Sequence, residues 1–238
     1  MDWYKFSTCL FLALSMACCV AFCVLRAKKA NVLSLAFKTI SSVFFILGGI
    51  FALKVSNVFD IAQLLIIAGL VFGLVGDIIL DLKIMYPEKS DSYFTFGTLS
   101  FAFGHVFYFV SALLVGKAVT PDSIWWCLLA SIGVAAVLTT AIVLSSKTMK
   151  LDFGKHLPLV IIYTAILTFM VSFTISIAIF APIYWIFASG MICFFLSDLV
   201  LSMQYFGGRS EKVWIYVNHI LYYAAQILLA LSIALCFA

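Results

Sequence analysis

Long apolar runs separated by short polar segments fill almost the whole chain. Each residue of a helix adds about 1.5 Å, so a run of about 20 residues crosses the ~30 Å hydrocarbon core of a bilayer. Eight runs reach or approach that length, near residues 8–25, 32–53, 60–82, 96–115, 123–145, 157–179, 183–204 and 213–236. The pattern predicts an all-α fold, a polytopic transmembrane bundle of about eight helices that forms a single integral membrane domain over 1–238.

Composition excludes several other classes of protein. Apolar residues make up 66% of the chain and charged residues 10%, which is far from the range of soluble globular domains. The net charge of +4 is scattered over loops, so no basic patch for nucleic acid is present. The seven cysteines lie mostly in apolar runs without the spacing of metal ligands, so we expect no disulfide framework and no cofactor.

Lysine and arginine are distributed unevenly between the two sets of alternate loops. One set carries ten, namely Arg26, Lys28, Lys29, Lys83, Lys89, Lys147, Lys150, Lys155, Arg209 and Lys212, and the other carries Lys5, Lys54 and Lys117. Because loops rich in these residues stay in the cytoplasm, the loops after spans one, three, five and seven are predicted to be cytoplasmic. Both termini are then non-cytoplasmic, and we expect the protein in the cell membrane.

Three acids interrupt the apolar runs. Asp77 and Asp81 lie four residues apart in Gly76-Asp77-Ile78-Ile79-Leu80-Asp81, and Asp198 follows Ser197 near the end of another run. A charge in hydrocarbon costs about 3 kcal/mol even on lenient scales, so an acid inside a span is a functional-site hypothesis. Asp198 has no basic neighbour in the sequence, whereas Asp81 lies nearer the cytoplasmic edge and close to Lys83.

Polar side chains from distant segments share one depth in the predicted bundle. At 1.5 Å per residue they lie roughly 6–14 Å below the cytoplasmic surface, and the last two are somewhat deeper. They are Lys38, Asp77, His105, Tyr163, Asp198 and His219, followed by Tyr222 and Gln226. Tyr223 shares a face of span eight with Gln226. We therefore predict a polar cavity that opens toward the cytoplasmic side and accepts the head group of a lipid.

Small residues indicate which spans pack together. Gly69, Gly73 and Gly76 share one face of span three, and span four has a stripe that includes Gly97 and Gly104. Small residues at this spacing allow two helices to approach closely, so these faces are expected to meet.

The sequence contains a weak sign of an internal repeat. Asp77 precedes His105 by 28 residues, and Asp198 precedes Gln226 by the same interval. Each pair runs from a cytoplasmic helix end into the following span, which suggests a parallel repeat of two four-helix halves.

Each candidate residue also has a structural alternative. Asp77 could pair with Lys38 or His105 for helix packing alone, and Lys38 could extend to the interface. Asp81 could be a solvated helix end, and His105 could be an interior histidine that bonds across helices. His105, Asp77 and Asp198 could hold a metal, but they lack a characteristic ligand spacing, and we predict no metal.

The same residues form a recognisable set of motifs. They are Gly76-Asp77 followed by Leu80; Phe96-Gly97 leading to Ser100-Phe101, Gly104-His105 and Tyr108; Gly190 before Phe194-Phe195-Leu196-Ser197-Asp198; and Tyr223-Ala224-Ala225-Gln226. In this order they resemble the YhhN-like family of integral membrane lysoplasmalogenases, from about Lys38 to the C-terminus. The resemblance implies functional roles for Lys38, Asp77, His105, Tyr108, Ser197, Asp198 and Gln226, and leaves Asp81 outside the core pattern.

The resemblance also implies an activity. Members of the family hydrolyse the vinyl ether bond of lysoplasmalogens, giving a fatty aldehyde and glycerophosphoethanolamine or glycerophosphocholine. Cleavage starts with protonation of the vinyl ether, which requires one protonated and one ionised group, as in glycoside hydrolysis. We expect Asp77 and Asp198 to divide these roles in either order, and His105 to orient them. Lys38 is expected to contact the phosphate of a lysophospholipid substrate.

The other substrate-binding candidates are Tyr108, Tyr163, Ser197, Tyr223, Gln226 and Asp81. Three other functions stay open at this point. One is a small proton- or cation-coupled transporter, which would use the same acids and histidine as a path. Another is a hydrolase of a different lysolipid, and the third is a non-catalytic lipid-binding scaffold.

Overall fold

The computed structural model describes residues 3–28, 32–56 and 58–237; Lys29, counted above among the basic loop residues, lies outside this part. Over these residues it contains eight long helices and no strand. The helices are α1 (Trp3–Lys28), α2 (Val32–Val55), α3 (Ile61–Met85), α4 (Ser90–Val119), α5 (Ile124–Thr148), α6 (Leu157–Phe180), α7 (Trp185–Phe206) and α8 (Lys212–Leu235). All eight are long and apolar enough to cross a membrane, which confirms the predicted polytopic bundle.

Two helices extend well beyond the apolar runs that predicted them. α1 begins at Trp3 rather than near residue 8, and α4 begins at Ser90 rather than near residue 96. The first turn of α4 contains Ser90 and Asp91, which an apolar window excludes although the backbone continues as a helix. Hydropathy detects the part of a helix that suits hydrocarbon, so it underestimates helices that continue into polar surroundings.

α3 and α4 pack closely through the glycines on their facing sides, as the sequence predicted. The ring of Tyr108 lies against Gly69, and the ring of Phe101 lies against Gly76. A Cβ atom added to Gly104 would come within 3.2 Å of the Gly69 carbonyl oxygen. This contact fixes the side of α3 that carries Asp77 relative to the aromatic residues of α4.

The eight helices form two equivalent halves, α1 to α4 and α5 to α8. Asp77 and Asp198 occupy α3 and α7 and lie 121 positions apart, and the ends of equivalent helices are offset by 116 to 125 positions. Packing follows the same relation: α1 packs on α2 as α5 packs on α6, and α3 packs on α4 as α7 packs on α8. Because each half has an even number of spans, equivalent helices cross in the same direction, which is a parallel repeat.

The two halves differ in how their first helix is held. α1 packs against both α2 and α8. Its counterpart α5 packs mainly against α6, and space remains between its Ile142 and Ser145 and the Phe94 of α4. This space opens into one of the two cavities that define the candidate site.

Candidate functional site

A polar cavity of about 170 Å³ lies between α1, α2, α3, α7 and α8. Its acidic and basic lining residues are Arg26, Lys38, Asp77, Asp81, Asp198 and His219. The first five come from four different helices, so their proximity depends on the tertiary fold. The cavity is close to the ends of these helices that the distribution of basic loops assigns to the cytoplasm, and that orientation stays a prediction.

Lys38 lies between two carboxylates of α3. Its Nζ atom is 3.2 Å from Oδ1 of Asp77 and 3.1 Å from Oδ1 of Asp81, and Asp81 also pairs with Arg26. Asp77 and Asp81 can share Lys38 because residues four apart lie on the same side of a helix. The group thus contains two cations and two carboxylates, and its formal charges balance.

This group settles two of the alternatives left open by the sequence. Lys38 is 3% exposed, so the interpretation that it extends to the membrane surface is wrong. Asp81 is 5% exposed and ion-paired, so the interpretation as a solvated helix end is wrong as well. A buried ion needs a partner to offset the loss of its hydration, and here each partner comes from a neighbouring helix.

Asp77 is the centre of a chain of hydrogen bonds. Ser42 and Tyr222 donate to its Oδ2 atom, over 2.6 and 2.9 Å. The side-chain amide of Gln226 donates to the Tyr222 hydroxyl over 2.9 Å, and Tyr108 donates to the Gln226 carbonyl oxygen over 3.2 Å. The structure therefore brings two predicted residues, Tyr108 and Gln226, into the surroundings of Asp77 through Tyr222.

Tyr223 supports the same region from behind. Its hydroxyl donates to the backbone carbonyl of Lys38 over 2.9 Å and lies 3.2 Å from the hydroxyl of Ser42. Tyr223 is fully buried and does not line either cavity. It thus holds α2 against α8 rather than contacting a bound molecule.

Asp198 has very different surroundings. Tyr163 donates to its Oδ2 atom over 2.6 Å, and Ser197 lies 3.5 Å from its Oδ1 atom. Among the described residues, no lysine, arginine or histidine forms an ion pair with it. Lys38 compensates the charge of Asp77, whereas within residues 3–28, 32–56 and 58–237 Asp198 has hydroxyl neighbours and no cation beside it.

A second cavity, also about 170 Å³, lies between α4, α5, α6 and α7 and is lined mainly by apolar side chains. Asp198 lines both cavities, and so do Leu80, Phe101, Leu201 and Tyr205. Tyr163 lines only the apolar one. Asp198 therefore stands where a charged cavity and an apolar cavity meet.

The structure does not bring His105 to either aspartate. Its Nδ1 atom bonds to the backbone oxygen of Phe101 over 2.7 Å, and its ring packs edge-on against Phe194 at 4.6 Å between centroids. Its Nε2 atom has no hydrogen-bond partner in the described part of the chain. Its nearest link to Asp198 is the ring of Tyr163, 6.0 Å away between centroids.

Sequence reasoning missed three residues of the polar cavity and its support. Arg26 was counted only as a basic loop residue, although it pairs with Asp81. Ser42 donates to Asp77 and lies one helical turn after Lys38, a spacing that could have identified it. Asn218 lines the cavity and donates to the backbone oxygen of Ser197 over 2.7 Å; the sequence gives no signal for it.

The metal alternative gains no support from the side-chain positions. Over residues 3–28, 32–56 and 58–237, histidine, cysteine, aspartate and glutamate nowhere form a group of three or more suited to a metal ion. His105, which the alternative requires, contacts neither Asp77 nor Asp198.

The fold and the site define a class: a multi-pass helical membrane protein with ionisable residues gathered in an interior cavity. The chain belongs to the YhhN family, whose family model matches residues 33–233. Comparisons with curated proteins and with solved structures gave no match. The matched region includes α2 to α8 almost completely and so contains both aspartates; membership in the family suggests a hydrolase.

Proposed function

We propose that this protein hydrolyses the vinyl ether bond of lysoplasmalogens, releasing a fatty aldehyde and a glycerophospho-alcohol. The observation that carries the proposal is the position of Asp198 between a charged and an apolar cavity, as an acid that has no cation partner in the described part of the chain. In a lysoplasmalogen the vinyl ether lies between the polar head and the apolar chain. A molecule with its head in one cavity and its chain in the other has this bond beside Asp198.

Asp198 is the proton donor in this mechanism. An ionised carboxylate there would be an unpaired charge in the interior, which is costly, so the site favours the neutral acid. The acid transfers its proton to the β-carbon of the vinyl ether, and an oxocarbenium ion forms. Tyr163, 2.6 Å from the carboxyl group, then stabilises the aspartate that remains.

Asp77 is the ionised partner. Its bond to Lys38 and its hydrogen bonds from Ser42 and Tyr222 stabilise the carboxylate form. Asp77 balances the positive charge of the oxocarbenium ion. Water then adds to this ion, and Asp77 accepts a proton from the water. The resulting hemiacetal collapses to aldehyde and alcohol as its hydroxyl proton moves to the leaving oxygen. The proton taken up by Asp77 then passes to Asp198, which restores both groups.

Arg26 is better placed than Lys38 to bind the phosphate of the head group. Lys38 is already enclosed by two carboxylates, whereas the buried Nε atom of Arg26 has no hydrogen-bond partner in the described part of the chain. A guanidinium also matches the geometry of phosphate oxygens. In this proposal Arg26, rather than Lys38, contacts the phosphate of the head group. Lys38 instead holds the Asp77 carboxylate in place through its ion pair.

No observation favours the transporter alternative. The hydrogen-bond chain from Asp77 ends at Gln226 and Tyr108. Further along α8, away from the polar cavity, Leu229, Ala230 and Ile233 are buried and apolar, and the hydroxyl of the buried Ser232 donates to the backbone oxygen of Leu229 on the same helix. A path for a proton or cation requires polar groups there.

The test is aldehyde release from a lysoplasmalogen by purified protein in nanodiscs, with and without a chelator. Asp198→Asn is expected to lower turnover by at least about 100-fold, the usual loss on removing a general acid. Asp91→Asn, an exposed residue at the start of α4, is the matched control and should change turnover less than about twofold. Turnover close to wild type in a folded Asp198→Asn protein would contradict the proposal.

A further inference from the structure

The two cavities occupy equivalent positions in the two halves of the molecule. Several residues that line one cavity have counterparts, 121 positions away, that line the other. These pairs are Asp77 and Asp198, Asp81 and Ser202, Ile84 and Tyr205, Ile215 and Phe94, His219 and Thr98, and Tyr222 and Phe101. The same cavity arrangement is therefore present twice, each time formed by the first three helices of one half and the last helix of the other half.

The two copies differ in the chemistry of their walls. Asp81 and His219 of the polar cavity correspond to Ser202 and Thr98. Because α2 and α6 are offset by 125 positions at both ends, the position equivalent to Lys38 is Tyr163, which donates to Asp198 as Lys38 pairs with Asp77. The aspartate is the ionisable group that both copies keep. A site that consists of one charged cavity and one apolar cavity suits a ligand with one polar end and one apolar end. Such a ligand is an amphiphile with one head group and one chain.

The size of the apolar cavity limits how much of the chain it holds. An engineered cavity of about 150 Å³ binds benzene, so a space of about 170 Å³ accepts only a few carbons. The cavity also reaches the surface, because its lining includes the partly exposed Ile142 and the exposed Ser145 of α5. A longer chain can leave by this route, where α5 is not packed against α4.

We propose that the apolar cavity between α4, α5, α6 and α7 binds the chain of a single-chain phospholipid. It holds the carbons next to the head group, and the rest of the chain passes α5 into the bilayer. The inference rests on the proposed function for the choice of head group. It does not depend on hydrolysis, since an unreactive alkyl chain has the same shape and polarity.

Photo-crosslinking in nanodiscs tests the cavity directly. The probe is a lysophosphoethanolamine with a saturated alkyl ether chain that carries a diazirine close to the head group, so the protein cannot cleave it. In the wild type we expect labelled peptides from α6 and α7 at residues that line the cavity, such as Leu167 and Phe195. Labelling confined to residues that face the surrounding lipid overturns the proposal.

Thr164→Phe and Ile162→Phe form a matched pair on α6. Thr164 lines the cavity, whereas Ile162 is 60% exposed on the outer side of the same helix. A phenyl ring in the cavity should reduce cavity labelling about tenfold, because the ring occupies the space that the chain of the probe would fill. Ile162→Phe should label as the wild type does. Equal labelling in both folded variants overturns the proposal.

Ser202→Phe fills the same cavity from α7 and replaces Thr164→Phe if that variant does not fold, as judged by its thermal unfolding midpoint. Aldehyde release by the wild type is measured in parallel. Cavity labelling without aldehyde release supports the chain site and contradicts the proposed hydrolysis. If the wild type releases aldehyde but Thr164→Phe and Ser202→Phe are labelled as strongly as the wild type, the chain site is contradicted and the proposed hydrolysis is not.

Discussion

Lys38 and its two carboxylates show how a charged group can exist in the interior of a membrane protein. Asp77 and Asp81 both lie on α3, and Arg26 supplies the second cation from α1. Loss of one partner of a buried pair leaves the other charge without compensation, which is worse than having no pair at all. Each member of this group is therefore important for stability, whatever its part in catalysis.

Asp81→Asn tests this at a single residue. Asp81 is 5% exposed and pairs with Arg26 and Lys38, so its neutralisation should destabilise the protein by about 3 kcal/mol. Asp91 pairs with Lys155 at an exposed site, and Asp91→Asn should cost less than about 1 kcal/mol. Unfolding in mixed micelles measures both, and equal losses in the two variants would show that the buried pairs contribute nothing special.

At the residue scale, the sequence pointed to two acids that the structure places at the polar cavity. An acid in an apolar run is conspicuous, and Asp77 and Asp198 were found that way. Depth along a helix fixes the height of a side chain in the membrane, but it does not fix the direction in which the helix turns that side chain. His105 has the right height and a different direction, which is why its contact with the acids was wrongly expected.

At the scale of elements, the glycines of α3 and α4 were readable from the sequence because small residues recur on one face. Their consequence for the site was not readable. Gly69 makes room for the Tyr108 ring, and Tyr108 in turn donates to Gln226 of α8. The close packing of α3 and α4 thus determines a hydrogen bond from α4 to α8. Predicting that bond requires the positions of all three helices in the bundle.

Gly69→Ala and Gly133→Ala compare a packed glycine with an unpacked one. A methyl group at Gly69 would overlap the ring of Tyr108, which is fully buried and hydrogen-bonded, so we expect a loss of about 1–3 kcal/mol. A methyl group at Gly133 meets no atom within 4 Å, and the better helix propensity of alanine should stabilise α5 by up to about 1 kcal/mol. Thermal unfolding midpoints that move in the same direction would contradict this account.

At the scale of the whole molecule, the interval of 28 residues that recurs in the sequence is one part of a structural repeat of the two halves. The sequence displayed one repeated interval, of 28 residues, because the two copies retain few identical side chains. Helix ends, packing partners and cavity positions repeat throughout. Equivalent shape with different chemistry is difficult to detect from residue types alone, since shape depends on backbone positions and sequence comparison depends on side chains.

The order of charges along the chain has a consequence for biosynthesis. The ribosome makes Arg26 and Lys38 before it makes Asp77 and Asp81, so α2 reaches the translocon with a lysine that has no carboxylate to meet. A lysine at the centre of a span costs about 3 kcal/mol on insertion scales, and Lys38, six residues from the start of α2, costs a smaller amount. We therefore expect α2 to enter the bilayer more completely once α3 has emerged.

Glycosylation-site mapping of truncated chains in microsomes measures this dependence. A chain that ends shortly after Val55 should insert α2 less completely than a chain that continues through Met85. Lys38→Leu should insert equally well at both lengths, because it removes the unpaired charge. If the wild-type chain also inserts equally at both lengths, α2 needs no help. If the shorter wild-type chain inserts α2 less completely, the ion pairs of the mature cavity also determine when α2 enters the membrane.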